Sequence, residues 1–220
     1  MDSMDQSQDQ QTKIAAESKQ GDTPFLFRAG ELALDLVNTE VVVRGKRGDL
    51  LATPQDIDLW WQAACQHHAE REEVRGVEGT GLIYDEGFLD EIKGLRAALR
   101  DIFLTLIEGA LPQQASVAVL NEVLRMGYHC LEWTPAGKPH ALYQTSVGER
   151  GTVLLPIALS ALRLLQQGDH KRLHQCDNEH CILLFYDSTK SATRRWCSLG
   201  CLDRARSAQR YKAKKQQIYS

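Results

Sequence analysis

Apolar side chains recur every three or four residues along much of the chain, which is the spacing of amphipathic helices. This pattern predicts a long helix over residues 85–109 and two further helices over residues 113–126 and 151–167, the last of them ended by Gly168. A fourth predicted helix follows Thr53, which offers an N-cap before Pro54, and runs through Trp60.

Other segments have the spacing of strands or loops. Residues 128–133 and 141–147 flank a segment that contains Pro and Gly, and this arrangement predicts a β-hairpin. The apolar segment 25–36 fits either a short strand or the start of a helix, whereas the polar, Gly-punctuated segment 43–49 is predicted to be a loop. The predicted fold is therefore mainly α-helical with one small β-sheet.

Charge divides the chain into an acidic body and a basic end. Residues 170–220 contain 11 Lys and Arg but only 4 Asp and Glu, a net charge of +7, and because the whole chain carries −3, residues 1–169 carry −10. We predict a disordered leader over residues 1–24, a helical domain over 25–168 and a small separate domain over 169–220. The split indicates an anionic partner for the basic end only.

Several classes of protein do not fit this sequence. It has neither a secretory signal nor the roughly 18 uncharged apolar residues that span a bilayer, so we expect a soluble, cytoplasmic protein without a membrane partner. Its six cysteines are then expected to be reduced. We expect no enzymatic activity, because the chain lacks a nucleophile elbow and a phosphate-binding glycine loop, and His67-His68 with Glu70 fits a solvated helix face.

Four of the cysteines form two close pairs. Four residues separate Cys176 from Cys181, three separate Cys197 from Cys201, and fifteen lie between the pairs. Four thiolates favour one tetrahedral zinc ion, and a site filled by protein ligands is structural rather than catalytic. Two alternatives stay open: the cysteines are ordinary buried thiols, or a nearby histidine replaces Cys181 as a ligand. The histidines concerned are His170, His174 and His180.

The residues that follow Cys201 predict one basic helix free of Gly and Pro. A helix fixed at one end by zinc has the dimensions to enter the major groove, so double-stranded DNA is the expected partner and Arg206, Gln209 and Arg210 are expected to reach base edges. The alternative is a solvated helix whose charges face water or pair with the acidic body. The predicted DNA-binding residues are Arg194, Arg195, Arg204, Arg206, Gln209, Arg210, Lys212, Lys214 and Lys215.

The segment Cys-Ile-Leu-Leu-Phe-Tyr-Asp-Ser-Thr-Lys-Ser-Ala-Thr-Arg-Arg-Trp-Cys-Ser, residues 181–198, resembles the CGNR zinc finger. That family continues with Cys-Gly-Asn-Arg, where this chain has Cys201-Leu202-Asp203-Arg204, and its second pair commonly has four intervening residues rather than three. Residues 32–39 and 49–60 resemble the ABATE domain, which usually precedes this finger. Together the resemblances imply a stress-related transcription regulator.

The sequence supports two functional hypotheses. In the first, the protein is a zinc-dependent transcription regulator whose N-terminal domain senses a small-molecule effector or forms a homodimer, and whose finger binds DNA. In the second, the finger is a zinc-stabilised protein-interaction module without sequence-specific DNA binding. We also expect Cys197→Ser to unfold the finger alone, because metal binding and local folding are coupled. The predicted effector-binding residues are Asn38, Thr39, Arg44 and Trp60.

Overall fold

The structure is a computed structural model that describes residues 23–74, 84–133, 135–145 and 148–218. Most of the predicted leader, residues 1–22, and the end of the predicted second hairpin strand, residues 146–147, lie outside the described residues. The described helices are α1 Leu32–Val37, α2 Pro54–His67, α3 Glu86–Ile107, α4 Gln114–Leu124, α5 Gly148–Gln167 and α6 Leu199–Ile218. The described strands are β1 Glu40–Val43, β2 Lys46–Asp49, β3 Gly127–Trp133, β4 Pro139–Thr145, β5 Leu173–Gln175 and β6 Leu184–Tyr186.

The predicted mainly α-helical fold is confirmed, with its strands arranged as three antiparallel pairs in the described part of the chain. The predicted hairpin is β3–β4, in which Gly127 pairs with Thr145 and Trp133 with Pro139. The four helices expected from apolar spacing are α2 to α5. Short 3₁₀ turns, Glu72–Val74 and His170–Arg172, follow α2 and α5.

The segment predicted as a polar loop is instead the β1–β2 hairpin, so that prediction was wrong. Val43 pairs with Lys46, and the two turn residues Arg44 and Gly45 have φ values of +53° and +79°. Two positive φ angles are characteristic of the tight turn that matches the twist of a two-residue hairpin. The three consecutive valines of β1 favour an extended chain because their branched side chains restrict χ1.

Local sequence signals fix where the two main helices begin. Thr53 and Asp56 form a capping box at the start of α2, with Pro54 at its first position. The side chain of Asp85 accepts a hydrogen bond from the backbone N–H of Phe88 at the start of α3. These caps orient α2 and α3 so that their apolar faces meet the same core.

Helix α1 lies at the centre of that core and packs against α3 and α5. All six of its residues are buried, and the ambiguous segment 25–36 therefore contains a core helix rather than a strand. The same cluster of buried side chains continues into residues 173–201, where it includes Leu184, Phe185 and Cys201. The C-terminal residues thus share buried contacts with the helical body, and the predicted small domain, residues 169–220, packs directly on the predicted helical domain.

Three hydrogen bonds to backbone groups of strand β6 attach it to the body. Asn38 donates from Nδ2 to the carbonyl of Leu184 at 2.8 Å and accepts from the N–H of Leu184 at 2.9 Å. The N–H of Tyr186 donates to the carbonyl of Ala29. The β5–β6 hairpin is therefore held in a fixed position against α1, before any metal is considered.

Candidate metal centre and nucleic-acid interface

The β5–β6 hairpin positions the first cysteine pair. Cys176 directly follows β5, and its N–H donates to the carbonyl of Leu183 at 2.9 Å, which closes the hairpin. Cys181 stands on the returning side of the loop, where its N–H donates to the carbonyl of Asn178 at 2.8 Å. Both thiols are thereby placed at the same end of the hairpin.

The start of α6 positions the second pair. Cys197 precedes the helix and Cys201 lies in its first turn, where the hydroxyl of Ser198 accepts from the N–H of Cys201 at 3.2 Å. The buried amide of Asn178 donates to the carbonyl of Cys201 at 3.0 Å. This bond connects the loop of the first pair directly to the helix of the second.

The four sulfur atoms all lie within 4.8 Å of one another. The Sγ of Cys197 is 3.7 Å from that of Cys181 and 3.4 Å from that of Cys201. Zinc–sulfur bonds of about 2.3 Å in a tetrahedron require sulfur–sulfur distances of about 3.8 Å, so these thiols fit one such ion with small adjustments. All four cysteines are free of disulfide bonds.

Neighbouring donors favour the thiolate form at two of these positions. Hydrogen bonds from the other three thiols lower the pKa of Cys201, and the guanidinium of Arg204, 3.1 Å from its sulfur, lowers it further. Hydrogen bonds with Cys181 and Cys197 lower the pKa of Cys176 to about 7. The N–H of Cys197 also donates to the sulfur of Cys176 at 3.4 Å. Thiolate is the form that a metal ion binds.

The alternative ligand sets that include histidine do not match this geometry. Cys181 points toward the other three sulfurs, so no histidine is needed in its place. The Nε2 atom of His170 lies 2.9 Å from the carbonyl of Leu165, and the ring of His174 packs against Phe185 with 5.6 Å between centroids. Of the ligand sets considered for this site, the four cysteines are thus the one whose ligand atoms converge on a point.

Asp187 organises the loop between β6 and the second pair, a role that sequence reasoning missed. The carboxylate is fully buried and accepts from the N–H groups of Thr189 and Arg194 at 2.9 and 2.8 Å. Burial alone would raise its pKa, but these hydrogen bonds together with the nearby His174 lower it to about 2. In the sequence this carboxylate belongs to the Phe-Tyr-Asp-Ser-Thr part of the segment 181–198.

The predicted contribution of Arg194 to DNA binding is not favoured by its contacts. Its guanidinium donates to the carbonyls of Trp196 and Cys197 and lies over the Phe185 ring, with 4.5 Å between the Arg194 Cζ and the ring centroid. These contacts fix the backbone at Trp196 and Cys197, next to the second cysteine pair. Arg204 is likewise bound to the sulfur of Cys201, although most of its side chain is exposed.

The rest of α6 extends away from the metal centre. The side chains of Arg206, Gln209, Arg210, Lys214 and Lys215 are all exposed. Arg206 and Gln209 also line a groove of about 440 Å³ between α6 and the loop of the first cysteine pair. The predicted basic helix is therefore present, and it begins at residue 199, slightly before Cys201.

Two predicted DNA contacts form exposed ion pairs beside that groove. Arg195 lies 2.5 Å from a carboxylate oxygen of Asp177, and Lys212 lies 3.0 Å from one of Glu179. Exposed pairs of this kind contribute little to stability and exchange readily for other anions. Both acidic partners lie on the loop between Cys176 and Cys181. The ion pair between Glu179 and Lys212 therefore connects this loop to the basic helix.

Comparison with known families agrees with this arrangement. The ABATE family model, described as "Putative stress-induced transcription regulator", matches residues 30–168, more than half of the chain. This protein belongs to the ABATE family. The model of the CGNR zinc finger matches residues 172–215, which contain the four clustered cysteines. A search for similar curated proteins found no match.

In the ABATE region the structure gives other roles to the residues predicted to bind an effector. Trp60 is fully buried in the core, and Asn38 is occupied by its two bonds to Leu184. Thr39 is buried and its hydroxyl links the carbonyl of Leu36 to the guanidinium of Arg96. Arg44 lies exposed in the β1–β2 turn. None of the four residues lines any of the three cavities of about 300–440 Å³ that the described residues form near the finger and α2.

One of these cavities lies where the ABATE region meets the CGNR finger. It has a volume of about 350 Å³ and lies between the segment 24–28, the β1–β2 hairpin and the cysteine cluster. Leu26, Val43 and Leu183 supply apolar walls, whereas Arg28 and His180 supply polar ones. Sequence patterning gave no sign of it, because its walls come from three separate parts of the chain.

The departure of this chain from the CGNR motif falls inside a regular helix. Leu202 and Asp203 stand where the family has Gly and Asn, and both lie within α6. Helical backbone does not need the positive φ that glycine permits, so the replacement is compatible with the observed helix. Asp203 is exposed in the first turns of α6, where an acidic side chain is favoured.

No helix in the described part of the chain combines the length and apolar character needed to cross a bilayer.

Proposed function

We propose that this protein is a zinc-dependent, DNA-binding transcription regulator. The observation that carries the proposal is α6, a 20-residue helix that is fixed at Cys201 by the cysteine cluster and is exposed along most of its length. A helix of 20 residues is about 30 Å long, long enough to follow a major groove. The ABATE match supports regulation and the CGNR match supports zinc binding.

Zinc is the metal that we assign to the four-cysteine cluster, with one ion per cluster. Four soft sulfur donors in a closed set favour Zn²⁺ over the oxygen-seeking cations. When bound, the ion crosslinks the β5–β6 hairpin to the start of α6 and leaves no open position for a substrate. Its contribution is therefore structural: it holds α6 in one direction.

The composition of α6 beyond Asp203 favours an external, anionic partner. This part of the helix has almost no apolar face, and a helix that is polar all around needs a solvent-bridging role or a partner. Arg206, Arg210 and Lys214 follow one another at four-residue intervals, which aligns them along one side. Phosphates would bind this side, while Arg206, Gln209 and Arg210 supply groups for base edges.

The test compares the zinc-loaded wild type with a double variant, Arg206→Ala with Arg210→Ala. The matched control is Arg47→Ala with Arg125→Ala, which removes the same charge from exposed arginines of the body. DNA capture from the genome, followed by binding to a recovered site, should show a preference of about 10³ over random duplex. The α6 variant should weaken binding and lower the salt slope by up to about two, whereas the control should leave both nearly unchanged.

Absence of any preference for recovered sites over random duplex would instead support the alternative, an adaptor whose basic helix docks on an acidic protein surface. Both interactions weaken with salt, so salt dependence alone does not separate them. Sequence preference does separate them. Affinity unchanged in the α6 variant would place the DNA surface elsewhere on the protein.

Sensing of a small molecule is the second part of the proposal, and the 350 Å³ cavity is its structural support. A ligand there would touch both the body and three of the four cysteines, because Cys181, Cys197 and Cys201 line it. Its occupation could thus change how firmly the finger is held against the body. The mixed walls fit a small amphipathic molecule better than a purely apolar one.

Homodimerisation is the third part, and its support is one face of the β3–β4 hairpin. Leu131 and Trp133 alternate along β3, and Tyr143 of β4 pairs with His129, which lies two residues before Leu131 on β3. The side chains of Leu131, Trp133 and Tyr143 are exposed, the first two by 67% each. Sedimentation of wild type and of Leu131→Glu should show a dimer that the variant loses, whereas Leu111→Glu, at another exposed leucine, should keep it.

A further inference from the structure

A second cluster of metal-binding side chains lies in the body, away from the cysteines in sequence. Asp35 of α1, His67 at the end of α2 and His68 directly after it place one ligand atom each within 4.8 Å of the others. His68 is buried, and its Nε2 atom lies 2.8 Å from Oδ2 of Asp35. The prediction that His67 and His68 form a solvated helix face was therefore wrong for His68.

We propose that Asp35, His67 and His68 form a second metal site, which takes a divalent transition ion such as Zn²⁺, Co²⁺ or Ni²⁺. Two imidazole nitrogens and one carboxylate oxygen are the donor set of many such sites. In a tetrahedral site with bonds of about 2.1 Å, adjacent ligand atoms lie about 3.4 Å apart. The 2.8 Å between His68 and Asp35 is the length of a hydrogen bond, so a bound ion would replace the shared proton and move the two atoms about 0.6 Å apart.

Surrounding groups hold these side chains in position. Oδ1 of Asp35 accepts from the N–H of Ala29 at 3.1 Å, which leaves Oδ2 directed toward His68. The ring of Phe27 stacks on His67 with 5.2 Å between centroids and meets His68 edge-on at 6.4 Å. Such outer contacts commonly fix the orientation of metal ligands. His67 is exposed, and its ligand atom lies within 4.8 Å of those of Asp35 and His68.

The charge balance also favours a cation here. Asp35 is almost completely buried, and an ionised carboxylate in such a place needs a positive neighbour. The nearby Arg71 donates to the carbonyl of Gly30 and to Glu31, so its guanidinium is directed elsewhere. The ring of His68 is in contact with the carboxylate, and a metal ion bound between the two would supply the positive charge.

A cavity beside the cluster gives access to one of its proposed ligands. It has a volume of about 300 Å³ and is lined by His67 together with Phe25, Phe27 and Gln66, whereas Asp35 and His68 do not line it. Three protein ligands with an accessible fourth position differ from the closed four-cysteine set and permit exchange of the ion or of an added ligand. This site is thus suited to a metal that enters and leaves, independently of whether α6 binds DNA.

Titration of the metal-free, full-length protein with Co²⁺ tests the proposal. Cobalt bound by thiolates gives intense sulfur-to-metal charge-transfer bands, whereas cobalt bound by nitrogen and oxygen gives only weaker d–d bands. We expect a first equivalent with the charge-transfer bands and a second equivalent without them. Inductively coupled plasma mass spectrometry of the zinc-loaded protein should likewise find two zinc ions per chain.

The deciding variant is His67→Ala, which changes an exposed side chain and is therefore expected to fold. It should keep the first equivalent and weaken the second by at least about 10-fold. The control is His180→Ala, an exposed histidine of the finger, which should keep both. A wild type that binds one equivalent, or a second equivalent that survives His67→Ala, would show that Asp35 and His68 are only a buried hydrogen-bonded pair.

Discussion

At the scale of single residues, Asn38 is a critical connection between the body and the finger. Its buried side chain satisfies both the N–H and the carbonyl of Leu184. Asn38→Ala leaves these buried groups without partners, and we expect the free energy of unfolding to fall by about 1–3 kcal/mol. Urea denaturation measures this change.

The matched control for that prediction is Asn121→Ala, at an exposed position of α4. It should alter the free energy of unfolding by no more than about 0.5 kcal/mol. Equal effects of the two substitutions would mean that the bonds between Asn38 and Leu184 do not hold the finger in place.

Residue types with specific chemistry, such as paired cysteines, were the easiest to interpret from the sequence. Two tight cysteine pairs led to the four-sulfur cluster, because thiol chemistry and spacing both favour it. The buried contacts of Asn38 and His68 were not foreseen, since they depend on Leu184 and Asp35, which are far away in the sequence. A short polar side chain does not indicate such a partner in advance.

At the scale of secondary-structure elements, two helical glycines give opposite predictions. A Cβ at Gly151 of α5 would stand 1.9 Å from the Thr145 hydroxyl of β4, whereas a Cβ at Gly94 of α3 would meet nothing within 4 Å. Gly151→Ala should therefore destabilise the protein by about 1–3 kcal/mol through overpacking. Gly94→Ala should stabilise it by about 0.5–1 kcal/mol, because alanine loses less backbone entropy.

Thermal unfolding of both glycine variants beside the wild type checks this pair. A gain in melting temperature for Gly151→Ala would mean that α5 and β4 are not in close contact. Both substitutions replace a helical glycine by alanine, so the difference in intrinsic helix propensity is the same in the two variants. The difference between their melting temperatures therefore reports the packing around the added methyl group.

The predicted and observed elements agree where apolar periodicity is long and differ where segments are short. Helix α3 spans 22 residues, and its apolar spacing was sufficient to define it. The β1–β2 hairpin has four-residue strands, and its second strand, Lys46–Asp49, contains no apolar residue. A strand without alternating apolar residues cannot be recognised from its sequence pattern. Strand β2 is extended because it pairs with β1.

At the scale of the whole molecule, the shared core changes the expected effect of losing the metal. Because Leu184, Phe185 and Cys201 belong to the same buried cluster as α1, we expect the finger and α1 to lose their structure together. Cys197→Ser, or removal of zinc by a chelator, should therefore loosen α1 as well as the finger. The sequence alone had led us to expect that the finger would unfold by itself.

Hydrogen exchange on the zinc-loaded wild type and on Cys197→Ser separates these outcomes. Amides of α1 should lose protection together with those of β5–β6, since Asn38 at the end of α1 holds β6. Amides of the β3–β4 hairpin should change little, because that hairpin packs against α5 instead. Arg206→Ala with Arg210→Ala serves as the control, because it alters α6 without touching a metal ligand. If α1 stays protected in Cys197→Ser, β6 contributes little to the stability of the core, and the metal acts on the finger alone.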